Sequence, residues 1–396
     1  MRSKCSFDIF SIKVFVVIIL VGLNLRPFLV AIGPSIEQIV QDTNLGYSMT
    51  SLLTLIPMAL MGAGALIITR LPFLAEKISY LLFALLALSA GNMLRLFAYD
   101  GSVLILSTIM CGGAVAVIQS CVPRIIKQYF AKEMPVVVGC YSASLMVGGA
   151  LGAIVTQSLI GDGLSWRLSM AWLALPCFFA LVLAGLTLPR SSFPQGSSTE
   201  WMLLFKQRNT WELVLIFGLV NGAYASIVTW LPPYYQKFGF TPEQSSHMIL
   251  ALSLAQACCA LLLPVVIRNH FERRLWLMLM LASLTLGLFG LMLWPKLFPY
   301  TWSMLCGVGL GGAFSICMLL ALERYQSVEQ SNALSVIMQG GGFLLASLFP
   351  LIFIVLVELS GHFHVGWAMQ IISLFLAGTL CSRLPKLVKK PSEVKV

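Results

Sequence analysis

Twelve apolar stretches follow one another along this chain, each near the ~20 residues that a helix needs to cross a bilayer. They lie at about 14–34, 48–69, 79–98, 102–122, 135–159, 168–188, 212–234, 245–267, 274–294, 299–321, 331–356 and 364–384. Lipid offers nothing for a bare peptide group to hydrogen-bond to, so only helices and closed barrels span it. The runs lack the period-2 alternation of a barrel strand. The expected class is therefore an all-α membrane protein with twelve transmembrane helices. Composition agrees: 59% of residues are hydrophobic and 10% charged, with a mean hydropathy of +0.91. A soluble chain would carry roughly a quarter charged residues to dress its surface.

The net charge of +10 raises the question of nucleic acid, and the placement of the charges answers it. Twenty Lys and Arg residues fall in the odd-numbered loops and the two tails, for example Arg70, Lys77, Arg124, Lys127, Arg273 and Arg274. Four fall on the other side (Arg95, Arg167, Lys237 and Lys296), and Arg26 lies within a span. Such a bias is the positive-inside signature, so both termini are expected in the cytoplasm of a bacterial inner-membrane protein. No nucleic-acid partner is expected. Trp166, Trp294, Trp302 and Trp367 fall near the opposite interface, where an amphipathic indole is comfortable. Nearly all ten cysteines lie inside apolar runs, where they act as small packing residues. The N-terminal run continues past Arg26 and Pro27 with no small-residue cleavage site, so no removed signal is expected.

The interval 190–210 is rich in Ser and Pro, reads as a flexible cytoplasmic linker, and divides the spans six and six. The expected domains are a six-helix bundle over 1–189 and a second over 211–396. The two halves resemble each other. Gly22-Leu23-Asn24-Leu25-Arg26-Pro27 in span one aligns with Gly218-Leu219-Val220-Asn221-Gly222-Ala223 in span seven. Cys111-Gly112-Gly113 in span four aligns with Cys306-Gly307 in span ten, and Gly148-Gly149 in span five with Gly340-Gly341-Gly342 in span eleven. Two six-helix repeats related by an axis along the membrane normal are the architecture of major facilitator carriers.

Specific stretches carry the likeness further. Gly22 to Pro27 with Gly33-Pro34, Pro123-x-x-Ile126-Lys127-x-x-Phe130, Gly218 to Ser226 with Trp230-Leu231-Pro232, Cys306 to Phe314 with Leu319 to Glu323, and Met338 to Phe343 span most of the chain. On these the sequence resembles the cyanate-transporter branch of the major facilitator superfamily, a branch that also includes a nitroimidazole transporter. The resemblance implies a secondary transporter working by alternating access, with cyanate as the candidate substrate. One departure stands out. The Asp that the superfamily usually places before Arg in the loop after span two is missing; the segment reads Arg70-Leu-Pro-Phe-Leu-Ala-Glu76-Lys77.

Arg26 is the sharpest single signal, because it lies halfway along span one. A central Arg costs about 2.5–3.5 kcal/mol even on the lenient insertion scale. None of the fifteen acidic residues falls at mid-span; Glu37, Glu212, Glu323 and Glu358 come nearest, at helix ends. Two readings are open: an Arg bonded to carbonyls and amides, or an anion site whose counter-ion is the substrate. The second is preferred, since intramembrane charges default to function. Asn24 and Arg26 lie about 200° apart on a regular helix. Both can face a cavity only if the helix is distorted there. Pro27 supplies a cause by removing a backbone bond and freeing the Leu23 carbonyl. Asn221, Tyr224, Gln256 and Gln339 complete the expected substrate-binding set, with Gln119 and Tyr141 as weaker candidates. Buried amides can equally be interhelical glue.

No enzyme constellation, cofactor motif or metal site is expected; His362-x-His364 lacks further ligands. With no central carboxylate, uniport or exchange is expected in place of proton symport through an acidic core. The expected partners are a small, anionic substrate and the lipid bilayer, with the carrier acting as a monomer. Efflux of a neutral, nitroimidazole-like compound and a transport-fold receptor are the competing readings.

Overall fold

The computed structural model describes residues 9–32, 35–43, 45, 52–70, 77–189, 198–270 and 272–385. Gly33, Pro34 and Glu76, singled out above, lie outside the described residues. Among the described residues every regular element is a helix. In order these are α1 (Ile9–Asn24), α2 (Pro27–Val30), α3 (Ile36–Thr43), α4 (Leu52–Arg70), α5 (Ile78–Leu94), α6 (Gly101–Tyr129), α7 (Met134–Gly161), α8 (Trp166–Ala171) and α9 (Ala174–Thr187). They continue as α10 (Ser198–Phe205), α11 (Arg208–Gln236), α12 (Pro242–Val266), α13 (Arg273–Leu293), α14 (Pro299–Glu323), α15 (Val328–Ser360) and α16 (Phe363–Arg383).

Eleven segments among the described residues are long and apolar enough to cross a membrane, and the shorter apolar helix Leu52–Ile68 takes the place of span two. Their apolar side chains point outward as well as inward. Phe83, Leu186, Leu359 and Ile372 are among many that are exposed, as a lipid-facing surface requires. The protein is thus an all-α membrane protein. Capping follows ordinary rules where the chain leaves the apolar runs. Ser165 and Ser327 accept backbone N–H bonds at the starts of α8 and α15, and Thr241 with Gln244 forms a capping box on α12.

Span one is broken where Pro27 is expected to distort it: α1 ends at Asn24 and α2 begins at Pro27, with Leu25 and Arg26 outside either helix. Two expectations need correction. Span six starts at Trp166, earlier than expected, and divides into α8 and α9. The segment expected to be linker carries a helix, α10, and α11 already starts at Arg208. Residues 190–197 lie outside the described set.

By its contacts the described chain divides into two compact units. One comprises 1–132 with 144–198, the other 133–143 with 199–396. The same packing scheme recurs in each. In the first unit α4 and α5 pack on α6, and α9 on α5 and α1; in the second α12 and α13 pack on α14, and α16 on α13 and α11. The correspondence extends to single atoms. A Cβ on Gly91 would lie 2.7 Å from Cys111 Sγ, and one on Gly287 would lie 2.6 Å from Cys306 Sγ. The Cys111 thiol points to the Leu88 carbonyl at 3.9 Å, and Cys306 to that of Leu284 at 4.0 Å. The cysteines aligned from sequence therefore occupy equivalent places in two six-helix repeats.

One end of the first unit is tied by a polar clamp over an apolar cluster. Asp42 Oδ2 accepts from Trp166 Nε1 (3.0 Å) and from Arg167 Nη1 (2.7 Å), and Arg167 Nε donates to the Ala98 carbonyl. Beneath lie Ile32, Ile39, Leu53, Leu104 and Met170. The Trp166 indole and the Arg167 guanidinium hold the Asp42 carboxyl below its ordinary range. The stability this gives is present above the unfolded carboxylate value of about 3.9 and is lost only as pH falls through the lower folded value. Asp42→Asn is therefore expected to lower the thermal midpoint slightly, by about 1 kcal/mol or less for so exposed a pair. The loss should be constant from pH 8 to pH 5 in melts run across that range. A loss that grows between pH 8 and 5 would contradict it.

Candidate functional site

The broken span one organises the polar residues of the first unit. Pro27 has no N–H, so the Leu23 carbonyl loses its helical partner. That carbonyl does not open onto free space: a Cβ on Gly148 of α7 would lie 2.1 Å from it, and one on Gly152 would lie 2.5 Å from Pro27 Cα. The two glycines of α7 let its backbone approach the break closely, the small-xxx-small arrangement of membrane helices. The chain resumes as a helix when Leu29 and Val30 donate to the Arg26 carbonyl at 3.1 and 3.2 Å.

At this break Arg26 is 5% exposed and Asn24 is 4% exposed. Arg26 Nη1 lies 3.2 Å from Met146 Sδ on α7. Asn24 is engaged at both ends of its amide. Its Nδ2 donates to the Leu20 carbonyl (2.7 Å) and towards the Pro176 carbonyl (3.3 Å), and its Oδ1 accepts from Cys177 Sγ (3.2 Å). Asn24 thus fastens α1 to α9.

The remaining candidates belong to the second unit. Asn221 on α11 is buried and donates to the Phe217 carbonyl at 2.8 Å, the same back-bond to the residue four earlier that Asn24 makes. Tyr224 is half-buried one turn on. Gln256 is buried on α12, its own carbonyl against Gly311 of α14, and Gln339 on α15 donates to Ser335 Oγ at 3.2 Å. Phe217 meets Phe314 and Phe343, each from or beside one of the family-like stretches, at ring-centroid distances of 5.5 and 5.3 Å. Gln119 and Tyr141, the weaker candidates, are buried.

Charged residues at the ends of the second unit are committed elsewhere. Arg273 Nε and Nη2 hold Glu323 in a two-point pair at 3.0 and 2.9 Å, and Arg208 pairs with Glu212 at 2.9 Å. Glu358 is exposed. Among the buried polar residues that the sequence reading did not single out are Asn92 and Arg95. Asn92 donates to the Leu88 carbonyl, and Arg95, counted from sequence with the charges of the outer side, is fully buried with Nε donating to Ser107 Oγ at 3.2 Å. The signal was there: Ser89, Asn92 and Arg95 recur every third residue and so share one face of α5 and the turn that follows it.

This fold, with a charged break in its first span and two matching sets of six helices, is that of a carrier. Residues 14–350 match the Major Facilitator Superfamily model, and the chain belongs to that family. It is 37% identical to the cyanate transport protein CynX of Escherichia coli over 89% of this chain and 92% of that one. It is also 28% identical to the 2-nitroimidazole transporter of the same organism, over 91% and 92%. Among solved structures, the proton:xylose symporter XylE bound to 6-bromo-6-deoxy-D-glucose superposes with a TM-score of 0.75 at 12% identity, covering 95% of this chain and 96% of that one. The human organic anion transporter MFSD10 superposes with a TM-score of 0.70 at 11% identity, over 93% and 99%. The protein is a multi-pass membrane transporter of the major facilitator type.

Proposed function

We propose that this transporter carries a small monovalent anion by alternating access, with cyanate the leading candidate and Arg26 receiving its charge. The observation that carries the reading is a guanidinium 5% exposed at the helix break inside the first membrane span. Met146 Sδ of α7 lies 3.2 Å from its Nη1. The likeness to the cyanate transport protein supports the substrate class. The likeness to the 2-nitroimidazole transporter supports a second reading, export of a neutral aromatic compound. Substrate counterflow in proteoliposomes separates them. The first reading expects counterflow with cyanate or azide and none with 2-nitroimidazole; the reverse result replaces it.

Transport is by uniport or exchange, because Glu323 and Glu212 are held by arginines and no carboxylate falls at mid-span. The same vesicles should show no concentrative uptake under an imposed pH gradient alone.

The charge bias supports a bacterial inner-membrane location with both termini in the cytoplasm. Cys381 cannot report this, since it is fully buried. Its neighbour Ser382 and, between spans five and six, Asp162 are exposed. Ser382→Cys should be labelled by an impermeant thiol reagent only from the cytoplasmic side, and Asp162→Cys only from outside. The opposite pattern inverts the orientation.

A further inference from the structure

A second arginine of the first unit, Arg95, is buried more deeply than Arg26. Arg95 is 0% exposed, at the end of α5. Its Nε donates to Ser107 Oγ, which in turn donates to the Gly91 carbonyl at 2.7 Å. Its guanidinium lies over the Phe28 ring, 5.9 Å from the centroid. Nη1 and Nη2 have no hydrogen-bond partner among the described residues, and Arg95 takes part in none of the ion pairs found there. A buried charge with two bare donors is costly unless something pairs with it. An aromatic face compensates only part of that cost.

The internal repeat shows that packing does not require this charge. With Gly91 matched to Gly287 and Leu88 to Leu284, the counterpart of Arg95 is Leu291, fully buried in the same place in the second unit. An apolar side chain fills the position there without any desolvation cost. The charge in the first repeat therefore answers to something other than the architecture.

We propose that Arg95 is a second anion-binding residue, which holds a small monoanion on its two terminal nitrogens inside the first unit. The planar fork of a guanidinium suits a linear or planar anion that accepts two parallel N–H bonds. Asn24, which bonds Cys177, and Asn92, whose amide lies 3.9 Å from the same thiol, join the break at Arg26 to the helix that carries Arg95. Both arginines thus belong to one polar seam through α1, α9 and α5. The inference shares its ligand class with the proposed function but does not depend on Arg26 being the transport site.

Azide is the suitable probe, a linear triatomic monoanion that does not modify amines as cyanate does. Purified wild type, Arg26→Gln and Arg95→Gln would be titrated with sodium azide against sodium gluconate, following the thermal midpoint, and azide counterflow measured alongside. Arg26→Gln should keep a saturable azide-dependent shift. Adding Arg95→Gln should raise the half-saturating concentration by at least about tenfold, the loss of a charged hydrogen bond. An Arg26→Gln protein with no azide-dependent shift overturns the inference and leaves the proposed function standing; water alone then completes Arg95. A shift that survives in Arg26→Gln together with unimpaired counterflow does the reverse. Should Arg95→Gln not fold, Arg95→Lys keeps the charge without the fork and should weaken binding. Crystals of the wild type in sodium bromide should also show an anomalous peak at the Arg95 nitrogens. Its absence at saturating bromide counts against the site.

Discussion

Replacing Arg26 by alanine is expected to abolish anion transport and leave a folded protein. Two effects compete in that variant. Removing a buried charge relieves a desolvation penalty of several kcal/mol, which favours the empty protein. Removing the guanidinium also takes away a charged hydrogen bond to the substrate, worth ~1.5–3 kcal/mol, or about tenfold to 150-fold in affinity. Arg26→Lys keeps the charge but not the planar fork, so partial binding of a linear anion should remain. One structural contact runs to α7, where Arg26 Nη1 meets Met146 Sδ and its Cβ lies 3.4 Å from where Gly149 would place a methyl group. Met146→Leu preserves volume and removes the thioether, so it tests that contact apart from anion binding. The anion-site reading requires that Met146→Leu transport normally, while Arg26→Ala melts at or above the wild type yet neither counterflows nor responds to azide in transport assays. Unchanged apparent affinity in Arg26→Ala would end the reading and favour a neutral substrate.

Hydropathy made the spans legible because lipid imposes one requirement on every residue of a crossing segment. It could not show where helices end beyond the lipid, so α6 and α15 run to 29 and 33 residues, past the apolar windows that announced them. The break in span one was legible from a single residue, Pro27, since a missing N–H acts locally. The pairing of Cys111 with Cys306 was legible because small residues mark the same close approach in both repeats. Arg95 was not. Counting charges at span ends treats any cation there as loop, whereas its burial comes from Phe28 and Ser107, distant in sequence or on the next helix. The partners of Asn24 were not legible either, because nothing local reveals that Pro176 and Cys177 lie opposite it.

The glycines test the architecture itself, since one substitution should have opposite signs at different sites. In a helix interior Gly→Ala ordinarily stabilises by roughly 0.8–1 kcal/mol, because Gly has more backbone entropy to lose. At Gly113, where a Cβ would meet nothing within 4 Å, that gain should appear as a slightly raised midpoint. At Gly311 the new Cβ would lie 2.0 Å from the Gln256 carbonyl oxygen, and at Gly148 2.1 Å from that of Leu23. Both obstacles are backbone atoms, so no side chain can swing aside and a whole helix must move. Overpacking of that kind costs about 3 kcal/mol or more, which outweighs the propensity gain. Gly148→Ala and Gly311→Ala should therefore lose most of their monodisperse yield or melt well below the wild type, as read by fluorescence-detected gel filtration with heating. Gly307→Ala, 2.2 Å from the Leu252 carbonyl, should behave the same way. If all three melt like Gly113→Ala, the close helix approach on which both repeats are built is absent, and with it the seating of span one at its Arg26 break.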